Sequence, residues 1–279
     1  MPTDYEKRLR RVVDYVYDNP AGDLSLDALA DVAALSRFHF HRVYTAMTGE
    51  TCAQAVRRIR AHRASVWLVH TDWPVDTVAA RAGYDNVQSF ARLFRSQYGL
   101  TPTAFRKAGK DRPMISPKHE GALPMYPVEI RDLPARRLAA LPHTGAYHEV
   151  GRTFEKVSAV FSGRNLWGGA KGMIGVYYDD PSTVAEDALR SHAGVWVGPD
   201  FDVPDDLEEA TLPAGPHAVL VYKGPYNGLR DAYQDLYGRW LPESGRVPAH
   251  AAPFEVYLNS PMDTAPADLL TEICAPLAP

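Results

Sequence analysis

The stretch AARAGYDNVQSFARLFRSQYGLTPTAFR, residues 79–106, decides the fold of the first part of the chain. The end of a short apolar helix leads to Gly83, which suits a tight turn, and DNVQSFARLFRSQYG then has the spacing of a second helix. The segment from Leu100 to Arg106 closes the unit. Short helix, tight turn and second helix together predict a helix-turn-helix unit.

The same pattern occurs earlier, so the first hundred residues are predicted to hold two such units. Ser25 precedes the helical pattern LDALADVAAL, and Ser36 caps RFHFHRVYTAMTG after a short turn. Each second helix carries an aromatic-x-Arg triplet, which ends at Arg42 in the first unit and at Arg92 in the second. A long helix, roughly residues 52–70, is predicted between the units.

Length and charge indicate two domains of different character. A chain of 279 residues exceeds what one hydrophobic core usually serves. The net charge of -4 divides into +5 for residues 1–112 and -9 for residues 113–279. A basic module joined to an acidic one is expected of a nucleic-acid reader with a separate sensing domain. The predicted organisation is a DNA-binding domain over 1–108, a linker over 109–126 and a ligand-binding domain over 127–279.

Composition argues against several other classes of protein. No apolar run approaches the length of a membrane span, and the N-terminus lacks the features of a signal peptide, so a cytoplasmic protein is expected. Cys52 and Cys274 stand far apart without a motif. His39 and His41, two residues apart, point to different faces of a helix, and neither Cys nor carboxylate completes a set. We therefore predict no metal site and no cofactor.

The second half contains an internal repeat. LPARRLAALPHTGAY at 133–147 aligns without a gap with LPAGPHAVLVYKGPY at 212–226, and VYYDDP at 176–181 matches VYLNSP at 256–261. The offsets are 79 and 80 residues. Each copy has the pattern strand, helix, strand, strand. The predicted fold class is thus an all-α double helix-turn-helix domain followed by an α+β domain, a duplicated βαββ antiparallel sheet with both helices on one face and a cleft at the seam.

The candidate DNA-reading residues stand near the N-terminal ends of the two second helices, where side chains can reach base edges. They are Phe38, His41 and Arg42 in the first unit, and Gln88, Ser89 and Arg92 in the second. An arginine can hold guanine, and a glutamine adenine, through two hydrogen bonds. The alternative is that these are ordinary solvated helix faces, but matched positions in a basic segment favour DNA binding.

The candidate ligand-binding residues surround Glu255. At the repeat offset of 80, Glu255 faces Gly175. A carboxylate between Phe254 and Tyr257 costs free energy unless a cation, a donor or a ligand pairs with it. The aromatic residues expected near it are Tyr147, Tyr177, Tyr226, Trp240 and Tyr257. Such a site suits an apolar or cationic small molecule; the alternative is an aromatic core in which Glu255 pairs with an arginine such as Arg239.

Residues 24–106 resemble the DNA-binding domain of AraC/XylS-type regulators, and the stretch quoted above carries the match. The resemblance implies two units, joined by a long helix, that enter successive major grooves on one side of the duplex. It implies base contacts by the following residues: Phe38, His41 and Arg42 in the first helix, and Val87, Gln88, Ser89 and Arg92 in the second. Val87 departs from the polar residue common in some members.

Residues 127–277 resemble the GyrI-like effector-binding domain. The motifs are YDDP, GPYNGLRDAYQDLYGRWLPESG, and FEVYLNSPMDT with the closing TEICAPL. In that family the acid of the FEVY segment contacts bound ligand, which implies the same role for Glu255. The order of the two domains is similar to that of Rob-type regulators.

The leading hypothesis is a transcription regulator without enzymatic activity. Its expected partners are double-stranded promoter DNA, a small-molecule effector and RNA polymerase, and both monomer and homodimer stay open. One alternative is a GyrI-like hydrolase of small electrophiles, with Glu255 as base and Tyr147 or Tyr226 as donor. Another is a constitutive DNA binder whose second domain is a protein-interaction module.

Overall fold

The computed structural model describes residues 4–109, 124–181 and 183–279. Most of the predicted linker, residues 110–123, lies outside the described residues. The chain forms two compact units, and these differ from the predicted domains at one helix: residues 35–47 belong to the same unit as the C-terminal part of the chain.

The N-terminal helices follow the predicted pattern. They are α1 (Asp4–Asp18), α2 (Leu26–Ala33), α3 (Arg37–Thr48), α4 (Cys52–His70), α5 (Val75–Arg81), α6 (Val87–Tyr98) and α7 (Pro102–Ala108), and α3 is the one grouped with the C-terminal unit. Side chains cap several of them. Ser25 caps α2, Thr51 and Gln54 form a capping box at α4, and Asn86 caps α6.

The second helix-turn-helix unit has an aromatic core. Phe90, Phe94, Tyr98 and Phe105 are buried together, and the rings of Phe94 and Phe105 meet edge to face at 5.3 Å. Gly83 makes the turn between α5 and α6 with a φ of +79°, and a Cβ there would lie 2.4 Å from a backbone oxygen. Only glycine fits this turn, because both the conformation and the space exclude a side chain.

The C-terminal unit is an α+β structure. Its first repeat contains β1 (Val128–Leu133), β2 (Arg136–Thr144), α8 (Gly151–Gly163), β3 (Ala170–Tyr177) and β4 (Arg190–Val197). The second repeat contains β5 (Glu208–Leu212), β6 (Gly215–Lys223), α9 (Leu229–Asp235), a π-helical segment (Leu236–Trp240), α10 (Leu241–Ser244), β7 (Phe254–Tyr257) and β8 (Leu270–Pro276).

These strands form one antiparallel sheet in the order β1-β6-β8-β7-β3-β4-β2-β5. The order is symmetric about the β3–β7 pair, so the duplicated fold class is confirmed. Each copy has one strand more than predicted, since β1 and β5 precede the βαββ pattern. These two edge strands pair with β6 and β2 of the opposite repeat, and their largely exposed residues gave no strong apolar signal.

The two faces of the sheet carry different partners. One face buries an apolar cluster that includes Ile174, Phe254 and Val256. On the other face, α8 packs through Val157 and Phe161, and the seam between the repeats carries the acid and aromatic residues described below. Among the described helices, none is long and apolar enough to cross a membrane.

Candidate functional sites

The predicted reading helix of the second unit, α6, presents its candidate residues to solvent. Val87 is 39% exposed, Gln88 and Arg92 are exposed, and Ser89 is half-buried. The Asn86 side chain accepts hydrogen bonds from the backbone N–H groups of Gln88 and Ser89 at 2.8 and 3.0 Å, which fixes the start of the helix. The polar face of α6 is therefore open to a duplex.

The predicted reading helix of the first unit, α3, is placed differently. His41 is 2% and Arg42 8% exposed, and Phe38 is half-buried against the ring of His250 at 5.7 Å. The Arg42 guanidinium donates to the backbone carbonyls of Tyr177 and Asp179, both at 3.1 Å. The residues predicted to read bases are thus engaged by the C-terminal unit, a placement that the sequence did not reveal.

The predicted ligand site centres on the seam of the sheet. Gly175 and Glu255 are cross-strand partners on β3 and β7, as the repeat offset predicted. Glu255 is 5% exposed, and the Tyr257 hydroxyl donates to its Oε2 at 2.8 Å. The hydroxyls of Tyr177 and Tyr257 are 2.6 Å apart. Because Tyr257 donates to the carboxylate, it accepts from Tyr177, and the three groups form a directed chain.

Gly175 makes room for this chain of hydrogen bonds. A Cβ at this position would lie 2.9 Å from the ring and the hydroxyl of Tyr177, and 3.0 Å from the hydroxyl of Tyr257. These distances are shorter than ordinary contacts. The hydrogen-bond chain to Glu255 in one repeat therefore depends on the absence of a side chain at Gly175 in the other repeat, at the symmetry axis of the sheet.

Burial raises the pKa of Glu255 to about 7, and the hydroxyls of Tyr257 and Tyr233 and the charge of Arg42 partly oppose this shift. Within the described part of the chain, Glu255 forms no ion pair. Arg239, considered as its partner, instead pairs with Asp235 at 2.8 Å, so the expected pairing of Arg239 with Glu255 is wrong. The carboxyl is poised to change charge near neutral pH.

Aromatic rings surround this acid. Tyr147 lies edge-on to Tyr177 at 4.8 Å, and Tyr226 lies edge-on to Tyr257 at 5.5 Å, so each repeat supplies an equivalent pair. Phe154 of α8 adds a third edge-on contact, to Tyr257 at 5.3 Å. Tyr226 is 39% exposed while Glu255 is buried, so the aromatic cluster extends from solvent to the acid.

Sequence reasoning missed Phe154 and Tyr233. The offset of 79 relates these two helical residues, so the same repeat that identified Glu255 could have found them. Trp240, by contrast, makes no ring contact or hydrogen bond with the cluster within the described residues. It is half-buried and ends the π-helical segment, whose changed pitch a regular helical pattern does not predict.

Two further hydroxyls border the site. Ser191 is the cross-strand partner of Tyr177, and Thr271 that of Tyr257, again at an offset of 80. Both hydroxyls are buried, and neither has a hydrogen-bond partner among the described residues. In the same described part, no group of three or more His, Cys, Asp or Glu could hold a metal ion. The site offers one acid, tyrosine faces and unpaired hydroxyls.

Comparisons with known proteins match each half of the chain to a separate family of domains. Residues 126–278 match the family of the GyrI-like small molecule binding domain, and residues 29–108 match a helix-turn-helix domain. The DNA gyrase inhibitor of Yersinia enterocolitica is 30% identical over 129 residues, which are 44% of this chain and 81% of that protein. The Bacillus subtilis bifunctional transcriptional activator/DNA repair enzyme AdaA is 30% identical over 99 residues, 36% of this chain.

The match to AdaA spans 47% of that protein, so the chain covers about half its length. Among solved structures, a cryo-EM structure of an EcmrR–DNA complex is 18% identical with a TM-score of 0.45, over 55% of this chain and 57% of that one. The GyrI-like match alone covers more than half of the chain. The chain therefore belongs to the GyrI-like family of small-molecule-binding domains and carries an AraC-type helix-turn-helix domain before it.

Proposed function

We propose that this protein is a transcription regulator that binds promoter DNA through its helix-turn-helix units and a lipophilic cation at Glu255. One observation carries the ligand assignment: a carboxyl that is 5% exposed stands among tyrosines and, within the described residues, has no ion pair. The DNA assignment is supported by the open polar face of α6 and by the name of the AdaA relative, a transcriptional activator.

A cation is the ligand that this environment stabilises best. An ionised carboxylate without a countercharge is costly to bury, which explains the raised pKa of Glu255. A bound cation replaces the missing countercharge, and the faces of Tyr147 and Tyr226 add cation–π attraction. The unpaired Ser191 and Thr271 hydroxyls can accept hydrogen bonds from polar groups of a ligand.

Calorimetric titration with tetraphenylphosphonium, compared with the neutral triphenylphosphine oxide, tests the ligand assignment. At pH 8 we expect saturable binding of the cation, weaker binding of the neutral compound, and loss of this preference in Glu255→Gln. Glu155→Gln, which removes an exposed acid on α8, is the matched control and keeps the preference. Equal binding of cation and neutral compound by the wild-type chain would contradict the proposal.

The DNA assignment is tested by selecting duplexes from a random pool with the full chain. We expect enrichment of an asymmetric motif, because two different reading helices in one chain can bind as a monomer. The mass of the protein–DNA complex, measured by light scattering, shows whether one or two copies of the chain bind the duplex. A regulator that binds promoters in the cytoplasm is also expected to contact RNA polymerase. The measurement is whether this protein increases the amount of RNA polymerase retained on the selected duplex.

An enzymatic role for the same site has one supporting observation. The pKa of about 7 at Glu255 suits a general base, and Tyr226 in the same aromatic cluster carries the donor hydroxyl that such a role needs. Hydrolysis of p-nitrophenyl acetate distinguishes the roles. A regulator shows equal rates in wild type and Glu255→Gln, whereas a hydrolase loses turnover in the variant.

A further inference from the structure

The predicted DNA-reading helix α3 is held by a surface of the C-terminal unit. His39 is fully buried there, and both of its ring nitrogens are bonded: Nε2 to the carbonyl of Ala251 and Nδ1 to the hydroxyl of Tyr237, each at 2.9 Å. Burial lowers the pKa of His39 to about 3, so the imidazole is neutral. Since the carbonyl only accepts, Nε2 carries the single proton and Nδ1 accepts from the Tyr237 hydroxyl. The imidazole stacks on the Tyr237 ring at 5.5 Å.

The backbone of the second repeat is shaped to admit α3. Gly238 lies in the π-helical segment, and a Cβ built on it would stand 2.9 Å from the carbonyl oxygen and 3.0 Å from the Cβ of Ala46. Only the absence of a side chain at Gly238 permits this close crossing. The π-helical segment places Gly238 directly against Ala46 of α3. A larger residue at either position would push the π-helical segment and α3 apart, so the contact is specific for α3.

Arg42 makes the polar contacts at the other end of this surface. Its guanidinium donates to the carbonyls of Tyr177 and Asp179 and lies over the ring of Tyr233 at 5.8 Å. Within the described residues, its contacts are to backbone carbonyls and a ring, and it forms no ion pair with a carboxylate. Arg42 is also the residue that the AraC resemblance assigns to base recognition, so one side chain has two incompatible uses.

We propose that the surface formed by Tyr177, Asp179, Tyr233, Tyr237, Gly238 and Ala251, here called the dock, holds α3 in a state that cannot read DNA. DNA and the dock compete for Arg42 and His41, because their side chains cannot lie in a groove while buried in the C-terminal unit. The inference rests on the proposed DNA binding by α3. In the docked state only α6 is available for base contacts.

The test is a footprint and an affinity measurement of the full chain on the duplex that Gly238→Leu selects from the random pool, because that variant leaves α3 free to read its half-site. Tyr237→Phe removes the hydroxyl bonded to His39, and Gly238→Leu drives a side chain against Ala46. We expect tighter DNA binding by about two- to tenfold for Tyr237→Phe and by about tenfold or more for Gly238→Leu. Protection should extend from the α6 half-site to the α3 half-site.

Matched control variants distinguish an effect of the dock on DNA binding from a general effect of substitutions in the C-terminal unit. Tyr222→Phe removes a hydroxyl that donates to the carbonyl of Pro225, and Gly163→Leu adds the same side chain at a helix position where, among the described residues, the new Cβ has open space. Both should bind DNA as the wild type does. The proposal is overturned if Tyr237→Phe, folded as judged by circular dichroism, has the wild-type affinity and footprint. Failure of every chain to select a motif would instead contradict the proposed function.

Discussion

Gly175 and Glu255 face each other across β3 and β7, at the point where the two repeats meet. A methyl group at Gly175 would press on the ring of Tyr177 and the hydroxyl of Tyr257. We expect Gly175→Ala to lower the free energy of unfolding by about 1–3 kcal/mol, the usual cost of overpacking. Gly172→Ala on the same strand, with open space around its Cβ, should be close to neutral. Urea unfolding of both variants is the measurement, and equal stabilities would contradict the crowding.

The buried acid should make stability depend on pH. The pKa of Glu255 is raised from 4.5 to about 7, so its favourable contribution is present below pH 4.5 and is lost as pH rises through about 7. Glu255→Gln removes this ionisation. Relative to the variant, the ligand-free wild type should lose about 2–3 kcal/mol of stability between pH 5 and pH 8. Urea unfolding at both pH values checks this, and a constant difference would show that Glu255 does not titrate in this range.

The affinity for a lipophilic cation should rise with pH. Only the ionised Glu255 supplies the countercharge, so with a pKa of about 7 the affinity for tetraphenylphosphonium should increase by roughly tenfold from pH 6 to pH 8. Tyr257→Phe removes a hydrogen bond that lowers this pKa, and the midpoint should move to higher pH. Titrations across this range provide the test. An affinity that does not change with pH would exclude Glu255 as the countercharge.

The internal repeat made much of the candidate site predictable. An offset of 80 correctly placed Gly175 opposite Glu255, and it related Tyr177 to Tyr257, whose hydroxyls now prove to be bonded. Repeats preserve register, because a shift by one residue would turn every side chain to the other face of the sheet. The edge strands β1 and β5 escaped prediction because they are short and at least half of their residues are exposed, which leaves only a weak apolar pattern.

The dock of α3 could not be predicted from the same sequence. Its contacts join residues far apart in the chain, such as His39 with Tyr237 and Arg42 with Tyr177. The helical pattern of α3 identifies which residues share a face, but not which surface covers that face. His39 and Arg42 have the side chains of a solvated DNA-reading helix, and only the tertiary structure shows them buried.

The two arginines that are predicted to read bases, Arg42 and Arg92, should respond differently to substitution. Arg92 is exposed on α6, and Arg92→Ala should weaken binding to the selected duplex by about 1–3 kcal/mol. Arg42→Ala should cost less, because the wild-type side chain is already engaged by carbonyls of the C-terminal unit. Arg11→Ala, exposed on α1, is the control for loss of one positive charge. Fluorescence anisotropy at fixed salt measures all three, and an Arg92→Ala loss no larger than on random DNA would rule out a base contact.

A cation at Glu255 should release α3 and so strengthen DNA binding. The charge of Arg42 favours the ionised form of Glu255, and so does the hydroxyl of Tyr233. The Arg42 guanidinium lies over the ring of this tyrosine. A bound cation repels the guanidinium and competes for the same tyrosine, so the ligand and the docked α3 disfavour each other. Tetraphenylphosphonium should therefore raise the DNA affinity of the wild type.

Two variants distinguish the coupling between the cation site and the dock from cation binding alone and from docking alone. In Gly238→Leu the dock is open from the start, so the cation should bind but leave the DNA affinity unchanged. In Glu255→Gln the dock is intact, so DNA binding should stay weak with or without the cation. A wild-type chain that binds the cation with no change in DNA affinity would show that the site and the dock are independent. Reciprocity supplies a second check, because the selected duplex must then raise the affinity for the cation by the same factor.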